Sequence, residues 1–430
     1  MLLAHSKRNA EKNKKNSPEN GMNCFTQATL QRRIYFLAGR DCKGELSVKE
    51  QYELKRILQM HTVDALKEIA KDLGIKGCSG KIKDELVKLL EQKILNPDEM
   101  KRRFLAASND DIKKLRAAVK KPNIEIRDPR AYYYWIMNNL VYETSYGTIV
   151  VPIEVQHAFA PITESAAFIE ERKRAQMIDQ YALACVNLYM VVEVSVLADI
   201  INKQTKEEVT NEEIIRWCED RRQCRGCEMY FYQDGYVMCE VYGDNILVEK
   251  DDYHLMLSSQ KGKPYYIPAK KELLCYADDT YVDQNPAFEG MVFYLKNKMK
   301  LEAVDAYEFA AEIQLEIRDD ADINTIIMEC ERMGLDFDTE AEVKGFLKYL
   351  LEMFNHTRVP SNRGYTPAEM REMMTDRDIP FVKDCRRLKE MGMLGADTRQ
   401  AENAMVIPFL KKNQRNADST YHSKPRTSLS

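Results

Sequence analysis

Long uninterrupted apolar runs are missing from this sequence. The nearest approach, residues 181–201, is broken by Asn187, Glu193 and Asp199, and a carboxylate near the middle of a membrane span costs roughly 2.5–3.5 kcal/mol on insertion scales. The stretch reads instead as a buried helix followed by a short strand, and no membrane association is expected. The opening residues MLLAHSKRNAEKNKKN are basic with no apolar run behind them, which does not read as a signal peptide. The 11 cysteines lack the even spacing of a disulfide framework. Without an export signal they read as reduced thiols, and the expectation is a cytoplasmic protein.

Catalytic motifs are equally scarce. No glycine loop ending in Lys-Ser/Thr occurs, and no G-x-S-x-G or H-E-x-x-H. The histidines His5, His61, His157, His254, His356 and His422 are scattered, none with a partner at ligand spacing. Carboxylates are abundant enough to assemble a nuclease-like cluster in three dimensions, but no spacing points to one. The expectation is a non-enzymatic protein with no cofactor.

What the sequence does have is an uneven charge distribution. Its net charge is only −4, yet residues 1–130 hold 29 Lys/Arg against 18 Asp/Glu, a balance of +11. Residues 131–410 hold 30 against 49, or −19, and the last twenty hold 5 against 1, or +4. Such asymmetry suits a basic front that meets phosphate and an acidic body that repels it. Solvated faces that merely differ in sign are the plainer explanation. The length suggests roughly three domains at about 150 residues each.

Residues 1–22 and 411–430 are polar, basic and aperiodic, and read as disordered tails. A helix is expected over 48–60. Residues 62–95 carry the clearest pattern. Thr62 is an N-cap ahead of Val63, Leu66, Ile69, Ala70 and Leu73 at helical spacing. Gly74 stops that helix, and Gly-Ile-Lys-Gly-Cys-Ser-Gly forms a loop with three glycines. A second helix follows with Ile82, Leu86, Leu89 and Leu90 on one face. Two short amphipathic helices joined by an extended linker must bury their stripes together.

The segment LKEIAKDLGIKGCSGKIKDELVKLL resembles the helix–extended–helix unit at the N-terminus of transcription termination factor Rho and the related SAP modules. The resemblance covers about 35 residues, with Leu66, Ile69, Ala70, Leu73, Gly74, Ile75, Gly77, Lys83, Leu86 and Leu89 at its core or turn positions. It implies binding of DNA or RNA backbones through the linker and the start of the second helix. A coarser resemblance over residues 60–375 is to uncharacterised bacterial proteins that join a Rho-like front to a SEC-C tail. It fails at the decisive place, because Cys385 is the only cysteine after Asn355 and no SEC-C zinc site can form.

Downstream, helices are expected over 100–107, 108–119 and 131–138. Ser108 caps the second, with Asp110 and Asp111 in its first turn. LVYETSYGTIVV then alternates around Ser145-Tyr146-Gly147 as a hairpin. The order recurs as helices over 176–190 and 194–204, then one opened by Thr210 with Glu213 as a capping box, then strands around Asp234-Gly235. Three short helices and a hairpin are the order of a winged-helix domain. From Lys270 onward helices are expected, one starting at Thr366-Pro367-Ala368-Glu369. The expected architecture is mainly α and multi-domain: a tail over 1–22, a Rho-like module over 45–97, winged-helix-like domains over 99–160 and 176–265, a helical domain over 270–410 and a tail over 411–430.

Lys76, Ser79, Gly80, Lys81 and Lys83 are the nucleic-acid candidates, since backbone amides near a helix N-terminus attract phosphate and lysines and a hydroxyl complete the contact. Lys101, Arg102, Arg103, Lys113, Lys114, Arg116, Lys120 and Lys121 extend the strip, unless they are only an exposed helix face. Cys218, Cys224, Cys227 and Cys239 include one two-residue gap suited to zinc, but the outer spacings fit no paired-knuckle pattern and no metal site is expected. Tyr230, Tyr232, Tyr236 and Tyr242 could stack on bases, though strand packing is the favoured reading. Arg358 and Arg363 flank a Pro-Ser-Asn loop and either clamp an anion or, as favoured, bond helix C-terminal carbonyls. The functional expectation is a nucleic-acid-associated protein of the kind a bacterial mobile element carries, whose acidic helical body contacts other proteins. The alternative is an interaction scaffold or translocation-related accessory whose small module never meets nucleic acid.

Overall fold

A computed structural model describes residues 52–373, apart from 122, 126–128, 144–147, 228, 244–252, 322, 336 and 338. The expected tails at 1–22 and 411–430, and residues 48–51 of the first expected helix, lie outside the described residues. The protein is mainly helical, with 17 α-helices and two small antiparallel sheets among the described residues. The chain divides into two compact units. Of the described residues, one contains those up to 253 together with 269–280, and the other contains 254–268 together with those from 281 onward.

The first unit begins with α1 (Leu54–Met60), α2 (Val63–Asp72) and α3 (Lys83–Ile94). Thr62 caps α2, its hydroxyl accepting from the Ala65 amide at 3.2 Å. At the other end Gly74 adopts φ +68°. The Gly74 amide bonds the Lys71 carbonyl and the Ile75 amide bonds that of Ala70 at 2.8 Å, the paired closure that only a left-handed residue permits. Helices α1 and α2 both pack against α3, and Leu58 of α1, Leu66, Ile69 and Ala70 of α2 and Leu86 and Leu90 of α3 are all buried. Ile82 is a correction to the expected apolar face: it precedes α3 in an extended conformation and is 65% exposed. Val87 is buried in its stead, because positions 86, 87, 90 and 94 line the inner face of α3 at helical spacing.

Next come α4 (Pro97–Ala106), capped by Asn96, and α5 (Asn109–Lys120), capped by Ser108. Strand β1 (Asn123–Glu125), a 3₁₀ turn, α6 (Tyr133–Met137), β2 (Tyr142–Glu143) and β3 (Thr148–Val150) follow. The two strands of the expected hairpin pair, with Tyr142 opposite Val150, and its turn at Ser145-Tyr146-Gly147 lies outside the described residues. Strand β1 had no signal in the sequence; it pairs with β3, so the sheet order is β1-β3-β2. Phe104, Trp135 and Phe159 form the aromatic centre, with ring centroids 5.9 and 5.5 Å apart.

Helix α7 (Ile153–Thr163) leads to α8 (Ala166–Tyr189), a 24-residue helix. No helix of the described residues is long and apolar enough to cross a membrane. The apolar stretch at 181–201 divides as expected: α8 ends, Met190 turns at φ +60°, and β4 (Val191–Glu193) follows directly. Then come α9 (Val194–Gln204), α10 (Asn211–Arg222), β5 (Tyr230–Gln233) and β6 (Tyr236–Cys239), with β4 pairing to β6 in the order β4-β6-β5. The expected box at Thr210 is half made. Its hydroxyl accepts from the Glu213 amide at 3.2 Å, but the Glu213 carboxylate is held by Arg174. Residues 269–280, including α12 (Lys270–Leu273), belong to this unit, where Asn187 of α8 donates to the Tyr276 carbonyl at 2.8 Å.

In the second unit α13 (Pro286–Asn297), α14 (Ala303–Arg318), α15 (Ile323–Arg332) and α16 (Glu340–His356) enclose one core. Helices α13 and α16 approach through reciprocal glycine–tyrosine packing. Gly290 lies under Tyr349, and Gly345 under Tyr294. The segment 254–268, containing most of α11 (Tyr253–Gln260), lies against the 360–362 turn, with Gln260 donating to the Pro360 carbonyl at 2.9 Å. The capping box at Thr366, ahead of α17 (Pro367–Met373), forms in both directions, at 3.1 and 2.9 Å.

Candidate nucleic-acid interface

The loop between α2 and α3 positions the candidate residues through its glycines. Gly74 and Gly77 both take positive φ, +68° and +75°, which a side chain would oppose. The chain then turns at 78–81, where the Lys81 amide bonds the Cys78 carbonyl at 3.3 Å. Lys76, Ser79 and Gly80 are exposed, and Lys81 and Lys83 half-exposed. None of the three lysines has a carboxylate within ion-pair distance among the described residues. Ile82 adds an exposed apolar side chain to the same loop.

The start of α3 is less suited to phosphate than the sequence pattern suggests. No side chain caps it, so its first amides are open, but Asp84 and Glu85 occupy the first turn. Carboxylates there already complement the positive end of the helix.

The strip on α4 and α5 divides. Lys101 pairs with Glu171 at 2.5 Å, Arg102 with Glu99 and Asp220 at 3.0 and 2.9 Å, and Lys114 with Asp110 at 2.6 Å. Arg103 is buried and donates to the Ile94 carbonyl at 3.1 Å, closing the end of α3. These four are engaged in holding the unit together. Lys113, Arg116, Lys120 and Lys121 face solvent.

Cys218, Cys224 and Cys227 are buried, and Cys239 is half-buried. Burial pushes the thiol of Cys218 up to about 12 and that of Cys224 up to about 11. Cys224, just past the end of α10, donates to the Asp220 carbonyl of that helix, and Cys227 to the Ala106 carbonyl at the end of α4, each at 3.7 Å. Among the described residues no three His, Cys, Asp or Glu side chains gather as a metal site.

Tyr230 and Tyr242 are buried and present no face to a base, while Tyr232 and Tyr236 are half-buried on the hairpin. Sequence reasoning missed the polar core around Tyr230. Its hydroxyl donates to Asp179 at 2.6 Å and accepts from the Trp217 indole at 3.1 Å. Arg221 lies over its ring at 4.5 Å and pairs with Asp179 at 2.6 Å. Nothing in the spacing of these residues announces that they meet. Arg358 and Arg363 bond the carbonyls of Gly364 and Lys263, at 3.1 Å each, which belong to loops rather than helix ends. They also stack on Tyr266 and Tyr265, at 3.4 and 4.2 Å.

Set beside known proteins, the chain matches no family model, no curated protein and no solved structure.

Proposed function

We propose that the protein binds the sugar–phosphate backbone of DNA or RNA through the α2–α3 loop, with Lys76, Ser79, Gly80, Lys81 and Lys83 as the contact residues. The observation that carries the reading is the contrast in how the basic residues are used. Lys101, Arg102, Lys114 and Arg174 each have a carboxylate partner, whereas Lys76, Lys81 and Lys83 have none among the described residues. Lysines clustered on one turn without internal partners are available to displace counterions from a polyanion. The resemblance to the Rho N-terminal and SAP modules points the same way.

The strand orders support a winged-helix-like reading of the two later segments. The sequence α8-β4-α9-α10-β5-β6, with β4 against β6, has a helix–strand–helix–helix–strand–strand order. The earlier segment has the same β1-β3-β2 arrangement but only α6 between β1 and β2. Helix α10 is poorly suited to a nucleic-acid groove, because Glu212 and Glu219 lie on its exposed face beside Arg216 and Arg222. That mixed face favours a second reading, in which the acidic body contacts protein.

The test is binding of the full chain to labelled DNA and RNA duplexes and single strands across salt. Affinity in the non-specific range of about 10⁻⁴–10⁻⁶ M is expected, falling steeply with salt. Replacing Lys76, Lys81 and Lys83 with alanine should weaken all sequences alike and flatten the salt slope by up to about 3. Absence of binding at low salt, or indifference to the triple substitution, would leave the interaction scaffold as the better reading.

A further inference from the structure

Two hollows in the first unit use similar residues in opposite ways. One, of about 300 Å³, is lined by Lys101, Arg102, Arg174, Glu171, Glu213 and Asp220 among others. Three of its four cations, Lys101, Arg102 and Arg174, are paired to those same carboxylates, and only Arg216 is left over. The other, of about 350 Å³, lies between α5 and α8. Its walls include Lys113, Arg116, Arg172 and Lys173 and not one carboxylate. Four cations around one small hollow repel one another unless something negative joins them.

The details sharpen the contrast. Arg172 is 9% exposed and forms the base. Its guanidinium donates to the carbonyls of Leu105 and Ala107, at 3.1 and 2.8 Å, and to Asn109 Oδ1 at 3.2 Å. These partners are neutral, so its charge is hydrogen-bonded but not cancelled by an ion pair. Lys113 and Lys173 are exposed at the rim, with no ion-pair partner among the described residues. Arg116 is steadied by the Phe159 ring, 5.9 Å away. Between the cations the wall is apolar: Ile112 and Phe168 are buried, and Ile169 is 51% exposed. An exposed isoleucine set among unpaired cations suits a ligand with an anionic end and an apolar body. The volume lies at the small end of the roughly 300–1,000 Å³ typical of small-molecule sites.

We infer that the hollow between α5 and α8 is a binding site for a phosphate monoester carried on a compact apolar group, with Lys113, Arg116 and Lys173 holding the phosphate and Ile169 the body. The residues are distinct from those of the α2–α3 loop, and the site stands whether or not that loop binds nucleic acid. The phosphate could belong to a free metabolite or to the end of an oligonucleotide.

Calorimetric titration of the full chain with phenyl phosphate tests it at low ionic strength. One saturable site is expected, with inorganic phosphate binding at least about tenfold more weakly for want of the apolar contact. Lys113→Gln with Lys173→Gln should weaken phenyl phosphate about tenfold or more, since each removes a charge-assisted hydrogen bond. Ile169→Asp should do the same by putting a carboxylate at the mouth. All three positions are exposed, so an unchanged melting temperature separates loss of the site from loss of the fold. Arg172 is left intact because it also closes the end of α4. Competition by a 5′-phosphorylated oligonucleotide, but not by its unphosphorylated counterpart, would assign the phosphate to a chain end. Competition by neither would assign it to a free small molecule. Absence of saturable binding, equal affinity for inorganic phosphate, or binding unchanged in both variants would overturn the inference.

Discussion

Arg225 donates to the Asp72 carboxylate at 2.7 Å, joining residues 153 apart in the chain. Asp72 is the last residue of α2, and Arg225 lies in the loop after α10. The same loop is gripped from another side. Asn138, buried after α6, donates to the Arg225 carbonyl at 2.8 Å and accepts from its amide at 3.1 Å. The small N-terminal module is therefore fastened to the helices that follow it, and full-length protein is the proper material for binding measurements.

The two grips should differ in strength. Asp72→Ala removes a partly exposed ion pair and should cost under about 1 kcal/mol. Asn138→Ala leaves the partly buried amide and carbonyl of Arg225 without this partner and should cost roughly 1–3 kcal/mol. Urea unfolding of both variants checks the order. A larger loss for Asp72→Ala would show that the buried amide bonds are not what holds the loop.

Gly345 sits inside α16, where alanine would normally favour a helix by about 1 kcal/mol. Here an added Cβ would lie 2.8 Å from the Tyr294 ring. That ring is pinned by its hydroxyl, which donates to the Glu342 carbonyl at 2.5 Å. Overpacking of this kind costs roughly 1–3 kcal/mol, so Gly345→Ala should destabilise. Gly345→Ala combined with Tyr294→Leu should recover part of the loss, and thermal melts of the pair distinguish crowding from a general intolerance of substitution.

Acid should loosen the junction of α3 with α4 at Glu99. Burial raises the carboxyl's pKa, but Lys93 and Arg102 beside it outweigh that and hold it below the ordinary 4.5. A depressed folded pKa means the stabilisation is present above the unfolded value and lost as pH falls through the folded one. Glu99→Gln should therefore be less stable than the parent near neutral pH. The gap should narrow below about pH 4.5 and nearly close once both states are protonated. Urea midpoints at about pH 7 and about pH 3 measure it; a gap independent of pH would exclude Glu99 as the group responsible.

Buried thiols should be silent. Iodoacetamide applied to the native protein should leave Cys185, Cys218, Cys224 and Cys227 unmodified, because they are buried and Cys218 and Cys224 are held largely protonated. Among the described cysteines, half-exposed Cys78, Cys239 and Cys275 should react first, and peptide mapping reads the order. Protection of Cys224 and Cys227 that disappears on adding a chelator would point to bound metal instead.

Local features were legible from the residues alone. Thr62, Ser108 and Thr366 cap helices where their spacing says they should, because a cap is decided within four residues of chain. Gly74 ends α2 for the same reason. So were the two hairpins and the division of the apolar stretch at 181–201. The positions of Lys76 and Lys81 on an open loop, and of Lys83 at the start of α3, followed from the three glycines between two helical stripes.

Only the tertiary structure decided which charges remain unspent. Lys101 and Lys113 look alike in sequence, each on an exposed helix face. One is paired with Glu171 and the other faces a hollow without carboxylates. Strand β1 is three residues long and carries no periodic signal, so its pairing with β3 depended on where α6 returns the chain. The Asp179–Tyr230–Trp217–Arg221 cluster draws its members from α8, α10 and β5, and α10 also carries the glutamate that Thr210 was expected to share. Charge pairing and strand pairing depend on distances across the fold, and a linear pattern of residue types does not contain those distances.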